Sequence, residues 1–515
     1  MAIANDILRV LRRPSLATCV LRGFLDRKVV DHSEWFDAAW YTGTFIDGDL
    51  SGLSPSLHYS ITGFNPTVQP GPDFVPAEYL SLHPDARGSN PLVHYEKKGK
   101  RRGYAISYLQ NEHGGSPCHI SAEEHQSNLS AIAKAIGEKV RFGKPVQTVF
   151  LVYSVSMFPA RPLFEEMIRD IRFAPSLVVI PDLRLPTDRV VPEMSRCAEL
   201  LSKAYPFASI DVTRPTNNRE WPDVMRGTDM AVYSTPYDLS DFKYNPHWSV
   251  GRHFLPVHVS YFYPISRYAN WVMQCQNMVY FWRVFWENES ILRTYKSISP
   301  IGGKNGVCSG SMKMDSLANR TSKRRDRKCV LVCPHCTISK MGDCAASSFP
   351  NKADFVASLP SRYPELDFIF RPHPYLFRRL AAPTVWGEKK TNEYRRKILS
   401  NPNLVWSEGR DQFDDFAESS AIIHDCGSFL AEYFYTGKPC CYVERPQPFS
   451  EFGKECLSNC YLAKTEEDIL SFLDNVVVRG DDPLKESREA FRAKVMVNYP
   501  HAARAALSNL VNSFG

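Results

Sequence analysis

The sequence predicts an α/β protein: two Rossmann-like halves behind a small helical repeat region. Three observations carry this expectation. Apolar runs such as "TVFLVYSVS", "PSLVVIPD" and "DMAVYST" alternate with helical periodicity such as "VVPEMSRCAELLSKAY", the pattern of parallel strands with covering helices. A break over 301–328, rich in Gly, Ser and charge, separates this series from a second one that runs from "CVLVCPH" through "LDFIFRPHP", "NLVW" and "SAIIHDCGS" to "PCCYV". Near the N-terminus, two segments copy each other.

Residues 1–30 form a basic amphipathic segment in which Ile7, Leu8, Val10 and Leu11 alternate with Arg9, Arg12 and Arg13. It fits an anionic membrane surface or a helix packed on its own protein. The repeat region spans 31–110, with copies at 36–63 and 74–99. Phe36, Tyr41 and Asp47 recur 38 residues later as Phe74, Tyr79 and Asp85; Pro55, His58, Tyr59 and Gly63 recur 36 later as Pro91, His94, Tyr95 and Gly99. Each copy reads as helix, turn, helix, and two copies bury a face that one could not. The repeated histidines read as packing and hydrogen-bonding groups, with a ligand role as the alternative. The basic loop "KKGKRRG" follows, and 111–144 reads as a linker containing "NEHGGS", then a first helix. The halves are expected at 145–310 and 311–515, meeting in a cleft at the C-terminal ends of their strands.

Composition sets the class of partner. With 43% hydrophobic and 23% charged residues the chain is ordinary globular material. The net charge of +6 suits a polyanionic substrate or an anionic membrane surface, and no nucleic-acid motif is present. Fourteen cysteines in a sequence without a signal peptide read as reduced thiols of a cytoplasmic protein. Cys333 and Cys336 in "CPHC" have zinc-ligand spacing, but no second CxxC follows and Cys456/Cys460 are spaced differently, so they read as cysteines flanking a strand end. The run Trp271–Trp286 is interrupted by Gln274, Gln276, Asn277 and Arg283 and reads as a buried or interfacial helix. Asp414–Asp415 and Asp481–Asp482 read as solvated faces or caps, and neither a metal nor a cofactor is expected.

Chemistry concentrates at three strand ends of the second series. "VLVCPHCTI" ends in His335, "FIFRPHPYL" in Arg371 and His373, and "AIIHDCGSF" in Asp425 and Ser428. Pro372 and Pro374 bracket His373, so the chain can continue there neither as strand nor as helix. Ser428 reads as the N-cap of a helix whose exposed N–H groups offer an anion site. Gly427 allows close backbone approach, and Glu432, one helical turn on, could accept bonds from ribose hydroxyls.

The combination of "PHCTI", "RPHP", "HDCGSFLAEYFYTGKP" and "SGSMKMDSL" resembles the CDP-glycerol glycerophosphotransferase family, teichoic-acid polymerase-like proteins of the GT-B class, over roughly residues 145 to 475. The resemblance implies a GT-B-like pair of Rossmann-like domains, with the acceptor side in the first half and the nucleotide donor side in the second. It implies a catalytic or donor-binding role for His373 and a donor-phosphate role for Ser428; the strand-end reading adds His335, Arg371, Asp425, Gly427 and Glu432 to the donor site. His258 in "LPVHVSYFYP" is the nearest match to a second family histidine, although the Trp and Gly of the family's "WHG" are absent. Cys426 stands where serine is commoner. The implied reaction moves glycerol phosphate from CDP-glycerol to an acceptor hydroxyl in cell-surface polymer synthesis, releasing CMP. The alternative is a GT-B glycosyltransferase using a CMP-, UDP- or GDP-linked sugar in capsule or lipopolysaccharide synthesis. The repeat, which resembles N-terminal extensions of bacterial polysaccharide glycosyltransferases, favours that alternative. The implied partners are a nucleotide-activated donor and a membrane-linked or polysaccharide acceptor, met at the inner face of the cell membrane, with no nucleic acid.

Overall fold

The apolar run Val146–Val152 is the first strand, β1, of an all-parallel seven-stranded sheet in the computed structural model. Its partners are β2 (Phe173–Val179), β3 (Ser209–Val212), β4 (Met230–Tyr233), β5 (Leu255–Val259), β6 (Arg283–Trp286) and β7 (Gly306–Cys308), in the order β3-β2-β1-β4-β5-β6-β7. A second all-parallel sheet of six strands holds β8 (Cys329–Cys333), β9 (Asp367–Phe370), β10 (Leu404–Trp406), β11 (Ala421–His424), β12 (Cys440–Val443) and β13 (Tyr461–Ala463), in the order β10-β9-β8-β11-β12-β13. In both sheets the winding reverses direction beside the first strand, between β1 and β4 and between β8 and β11, so each half is a doubly wound, Rossmann-like α/β unit. Such reversals open a crevice at the C-terminal strand ends. Every residue of β8 and β11 is buried, as expected for strands covered on both faces. The structure describes residues 14–45, 53–65, 68–107, 109–110, 120–185, 187–216, 221–266, 268–320, 325–338, 347–383, 385–407, 410–445 and 447–515.

Three expectations change. Trp271–Trp286 is not one helix. It breaks into helices Tyr268–Gln274 and Asn277–Tyr280, then enters β6, because the polar Gln274–Asn277 stretch interrupts the periodicity and Val284, Phe285 and Trp286 favour a strand. The polar break over 301–328 contains β7 and the helix Met312–Ala318. Nor does all of 311–515 stay with the second half. The C-terminal helix Ala502–Asn512 packs in the core of the first, and Phe514 stacks on Trp282 at 5.8 Å. Asp315 anchors this crossing by accepting the N–H groups of Ala502 and Ala503 at 3.2 and 2.8 Å. Gly310 permits it: its φ is +88°, and a Cβ there would stand 2.0 Å from the Val497 carbonyl oxygen.

In the N-terminal region, corresponding residues of the two segments make corresponding contacts. The Tyr41 hydroxyl bonds His58 Nδ1 at 2.6 Å and the Tyr79 hydroxyl bonds His94 Nδ1 at 2.9 Å, while Phe36–Tyr41 and Phe74–Tyr79 each hold ring centroids 5.5 Å apart. Burial pushes His58 down to about 4, so its ring is neutral and spent on packing and hydrogen bonding. The region docks on the first half through buried polar contacts: Tyr280 donates to both oxygens of Glu78 at 2.7 and 2.8 Å, and Gln69 Nε2 donates to Asp238 at 2.7 Å. Arg9, Arg12, Arg13, Asp47 and "NEHGGS" lie outside the described residues. The cysteines from Cys197 to Cys336 and from Cys426 to Cys460 whose side chains are described are free thiols, and among the described residues no helix is long and apolar enough to cross a membrane.

Candidate functional site

Four consecutive strand ends of the second half converge on the cleft. β8 leads into His335, β9 into His373 and Tyr375, β11 into Asp425–Ser428, and β12 into Arg445. The His335 backbone N–H donates to Asp425 Oδ1 at 2.6 Å, which ties the ends of β8 and β11 together. The His373 N–H donates to the Pro334 carbonyl at 3.0 Å, and the His335 and His373 rings meet edge to face at 5.1 Å. Asp425 is thereby a positioning group; its burial pushes its own carboxyl above the ordinary range.

The hydrogen bonds assign the imidazole tautomers. The Thr337 N–H donates to His335 Nδ1 and the Tyr375 N–H to His373 Nδ1, both at 3.2 Å. A backbone amide can only donate, so each Nδ1 offers a lone pair and each neutral ring carries its proton on Nε2. Burial, the Arg445 charge and His373 push His335 down to about 3, and burial pushes His373 down to about 4, so both rings are neutral near pH 7. Ligand atoms of His335, Cys336 and His373 lie within 4.8 Å of one another, a spacing that invites a metal. The donor chemistry points elsewhere. The Nδ1 lone pairs are already taken by backbone N–H groups and the protonated Nε2 atoms hold none, burial pushes the Cys336 thiol up to about 12, and Arg379 donates to its Sγ at 3.3 Å. This set of donors suits an anion.

Arg445 completes it. Only 6% exposed, its guanidinium reaches His335 Nδ1 at 3.3 Å and Gln447 Oε1 at 3.4 Å, while Nε has no partner and no ion pair joins it to a carboxylate among the described residues. Asp425 lies within its electrostatic range but makes no ion pair with it; a buried cation without a direct ion-pair partner is costly, and a bound anion lowers that cost. The sequence reading passed over Arg445. Its signal was "VERP" at the end of "CCYV", which repeats at β12 the Arg-Pro of "FRPHP" at β9.

Other expected site residues are engaged elsewhere. Arg371 turns into the second half, pairing with buried Asp415 at 2.7 Å and bonding the Ser407 hydroxyl and the Arg410 carbonyl. Asp415 is therefore an internal ion-pair partner and not a solvated carboxylate, and Asp482 likewise pairs with Arg488. Glu432 is 0% exposed and its oxygens are taken by Lys313 at 2.8 Å and Gln412 at 2.9 Å, which leaves nothing for ribose. Ser428 is not an N-cap: its φ and ψ of −59° and −30° are helical and its side chain makes no capping bond. Instead its Oγ accepts the Tyr263 N–H of the first half at 3.3 Å. The helix behind it, Phe429–Glu432, is one turn long and gives little dipole. Gly427 does face the cleft, where a Cβ would touch only Ile265, at 3.8 Å. His258 lies inside the first half near the end of β5, its ring 5.0 Å from Phe281; it is 2% exposed, neither nitrogen has a hydrogen-bond partner among the described residues, and burial lowers it to about 3. The Cys426 thiol bonds the Cys333 carbonyl at 3.2 Å.

No protein-family model matches the sequence, and no curated protein does. Solved structures with a similar chain course include the UDP-GlcNAc 2-epimerase from Neisseria meningitidis bound to UDP-GlcNAc, at 12% identity over 72% of this chain and 100% of that one, TM-score 0.47. The S. aureus MnaA–UDP structure is 13% identical over 71% of this chain and 96% of that one, TM-score 0.46. The wall teichoic acid polymerase TagF is 12% identical over 76% of this chain and 94% of that one, TM-score 0.47.

Proposed function

We propose that this chain is a transferase that binds a nucleotide-activated donor at the strand ends of its second half and passes the activated group to an acceptor hydroxyl. In the leading form the donor is CDP-glycerol. The acceptor oxygen bonds to the β-phosphorus, the bond from that phosphorus to CMP breaks, and the hydroxyl proton is released. The observation that carries the reading is Arg445, a buried guanidinium without a carboxylate partner among the described residues, beside two neutral histidines with protonated Nε2 atoms. A pyrophosphate supplies the missing negative charge, and these donors count most as the leaving phosphate gains charge in the transition state. His373 then acts on phosphate as a donor, and not on the acceptor hydroxyl as a base. Gly427 and Ser428 line the same cleft. The strand-end motifs support glycerol-phosphate transfer. The repeat region supports the second form, a glycosyltransferase using a UDP- or GDP-sugar on the same pyrophosphate site, or a CMP-sugar through its single phosphate. The acceptor is membrane-linked or a polysaccharide, and Arg9, Arg12 and Arg13 would bring the chain to an anionic leaflet.

The test is calorimetric titration with CDP, UDP and GDP, together with an assay of nucleotide release from CDP-glycerol and from CMP-, UDP- and GDP-sugars. At least one nucleotide should bind, and Arg445→Ala should weaken it by roughly 10–100-fold, the loss of one or two charge-assisted bonds. Failure of the wild type to bind or turn over any of them would end the proposal.

A further inference from the structure

Two acids close to Arg445 are directed away from its guanidinium. Glu444, the preceding residue, pairs with Lys464 at 3.4 Å, and Asp425 Oδ1 accepts the His335 N–H at 2.6 Å. The side chain in contact with the guanidinium is instead an amide. Gln447 Oε1 accepts Arg445 Nη2 at 3.4 Å, and Gln447 Nε2 donates to the Tyr442 hydroxyl at 2.8 Å. A guanidinium can only donate, so both contacts agree on one orientation of the amide. The anchor of this chain of bonds is rigid. Tyr442 lies in β12, is 0% exposed, and its ring meets His424 at 5.5 Å and Phe449 at 6.0 Å, both edge to face. Pro448 follows Gln447 and biases its backbone toward the extended region. From Tyr442 the bonds run through Gln447 to Arg445, and from Arg445 Nη1 to His335 Nδ1 at 3.3 Å. An amide at 447 aims the guanidinium and leaves its charge in place, whereas a carboxylate there would aim it and cancel it.

We infer that Gln447 is the positioning residue of the anion receptor, and that its neutrality sets how tightly the receptor holds phosphate. The inference rests on the nucleotide-donor reading and extends it to a residue that touches Arg445 and not the reacting atoms. Without a carboxylate at 447 the empty protein forgoes an Arg445 ion pair, and the phosphate of a bound donor supplies that pair. Stability of the empty protein and affinity for nucleotide are therefore opposed at this position.

The experiment melts the wild type, Gln447→Glu and Gln447→Met without ligand and titrates each with CDP, UDP and GDP. Glutamate has the size of glutamine, and the Tyr442 hydroxyl, which accepts from the amide, can donate to a carboxylate, so the geometry is kept. Gln447→Glu should raise the melting temperature of the empty protein by about 1–2 °C and weaken the nucleotide that the wild type binds by roughly 10–100-fold. Gln447→Met loses both bonds of the amide and should weaken it by about tenfold with no gain in melting temperature. Wild-type affinity in Gln447→Glu overturns the inference and leaves the donor reading standing. Weaker binding in a Gln447→Glu protein that melts no higher overturns it as well, since Gln447 is then a part of the fold or a direct ligand contact. If the wild type binds none of the three nucleotides, both readings fall.

Discussion

Arg445 and His258 are both buried and both incompletely bonded, yet they point to opposite roles. Arg445 carries a permanent charge that no direct ion pair among the described residues balances, and its guanidinium reaches His335 and Gln447. His258 is neutral, with a depressed value of about 3, and its ring sits against Phe281. We expect His258→Leu to leave nucleotide affinity unchanged and to raise stability by about 1 kcal/mol, since a like-sized apolar group removes two unsatisfied nitrogens. The pH dependence has a definite sign. His258 folds with a value below the ordinary 6.5, so the native state binds fewer protons than the unfolded one; its contribution is intact above pH 6.5 and lost as pH falls toward 3. His258→Leu should therefore lose less stability than wild type between pH 6.5 and 4 in urea melts. A variant that keeps wild-type stability but loses turnover would instead mark His258 as catalytic.

At the scale of elements, the helices Met312–Ala318 and Phe429–Glu432 and the end of β6 are locked by one buried charge cluster. Lys313 pairs with Glu432 at 2.8 Å, and Glu287, just past Trp286, is buried with one carboxylate oxygen unpartnered. Removing the lysine strands a carboxylate in the interior, so Lys313→Ala should destabilise by about 3 kcal/mol, and Lys313→Met with Glu432→Leu by clearly less, as read by equilibrium unfolding. Burial, with Glu432 nearby, pushes Glu287 up to about 8. The native state here binds more protons than the unfolded one, so stability falls as pH rises from the ordinary carboxyl range to about 8. Glu287→Gln should therefore melt increasingly above wild type across that window, and parallel melting curves from pH 5 to 8 would contradict the assignment.

Over the whole molecule, the N-terminal region and the C-terminal helix both tie onto the first half. The Glu78–Tyr280 and Gln69–Asp238 bonds are buried across the N-terminal contact, and burial raises both carboxyls, Asp238 to about 7. Cleavage between 107 and 120 should thus leave two fragments that co-elute on size exclusion, and Tyr280→Phe should loosen them by removing its hydroxyl's bonds to the buried Glu78. Fragments that separate freely in the wild type would show that the contact is weak.

Much of this architecture is legible in local pattern. Continuous apolar runs such as Val146–Val152 and Ala421–His424 mark buried parallel strands because both of their faces are covered, and proline-bracketed strand ends mark where side chains leave the sheet. On that basis His335, His373 and Asp425 could be grouped from sequence alone. Edge strands such as Ser209–Val212, half solvated and without an apolar run, could not be seen in the same way. Nor could the fate of polar side chains, since it depends on partners distant in sequence. Arg371 meets Asp415, 44 residues on, and Glu432 meets Lys313, 119 residues back, so two expected ligand contacts are spent inside the fold. Arg445 meets no carboxylate among the described residues and is left to the cleft. Local sequence determines which elements form and which strand ends carry chemistry, because periodicity and backbone restriction act over a few residues. Which charges are satisfied and which remain for a ligand is decided only by the tertiary structure, because burial makes every unpaired charge costly and only long-range packing supplies or withholds the partner.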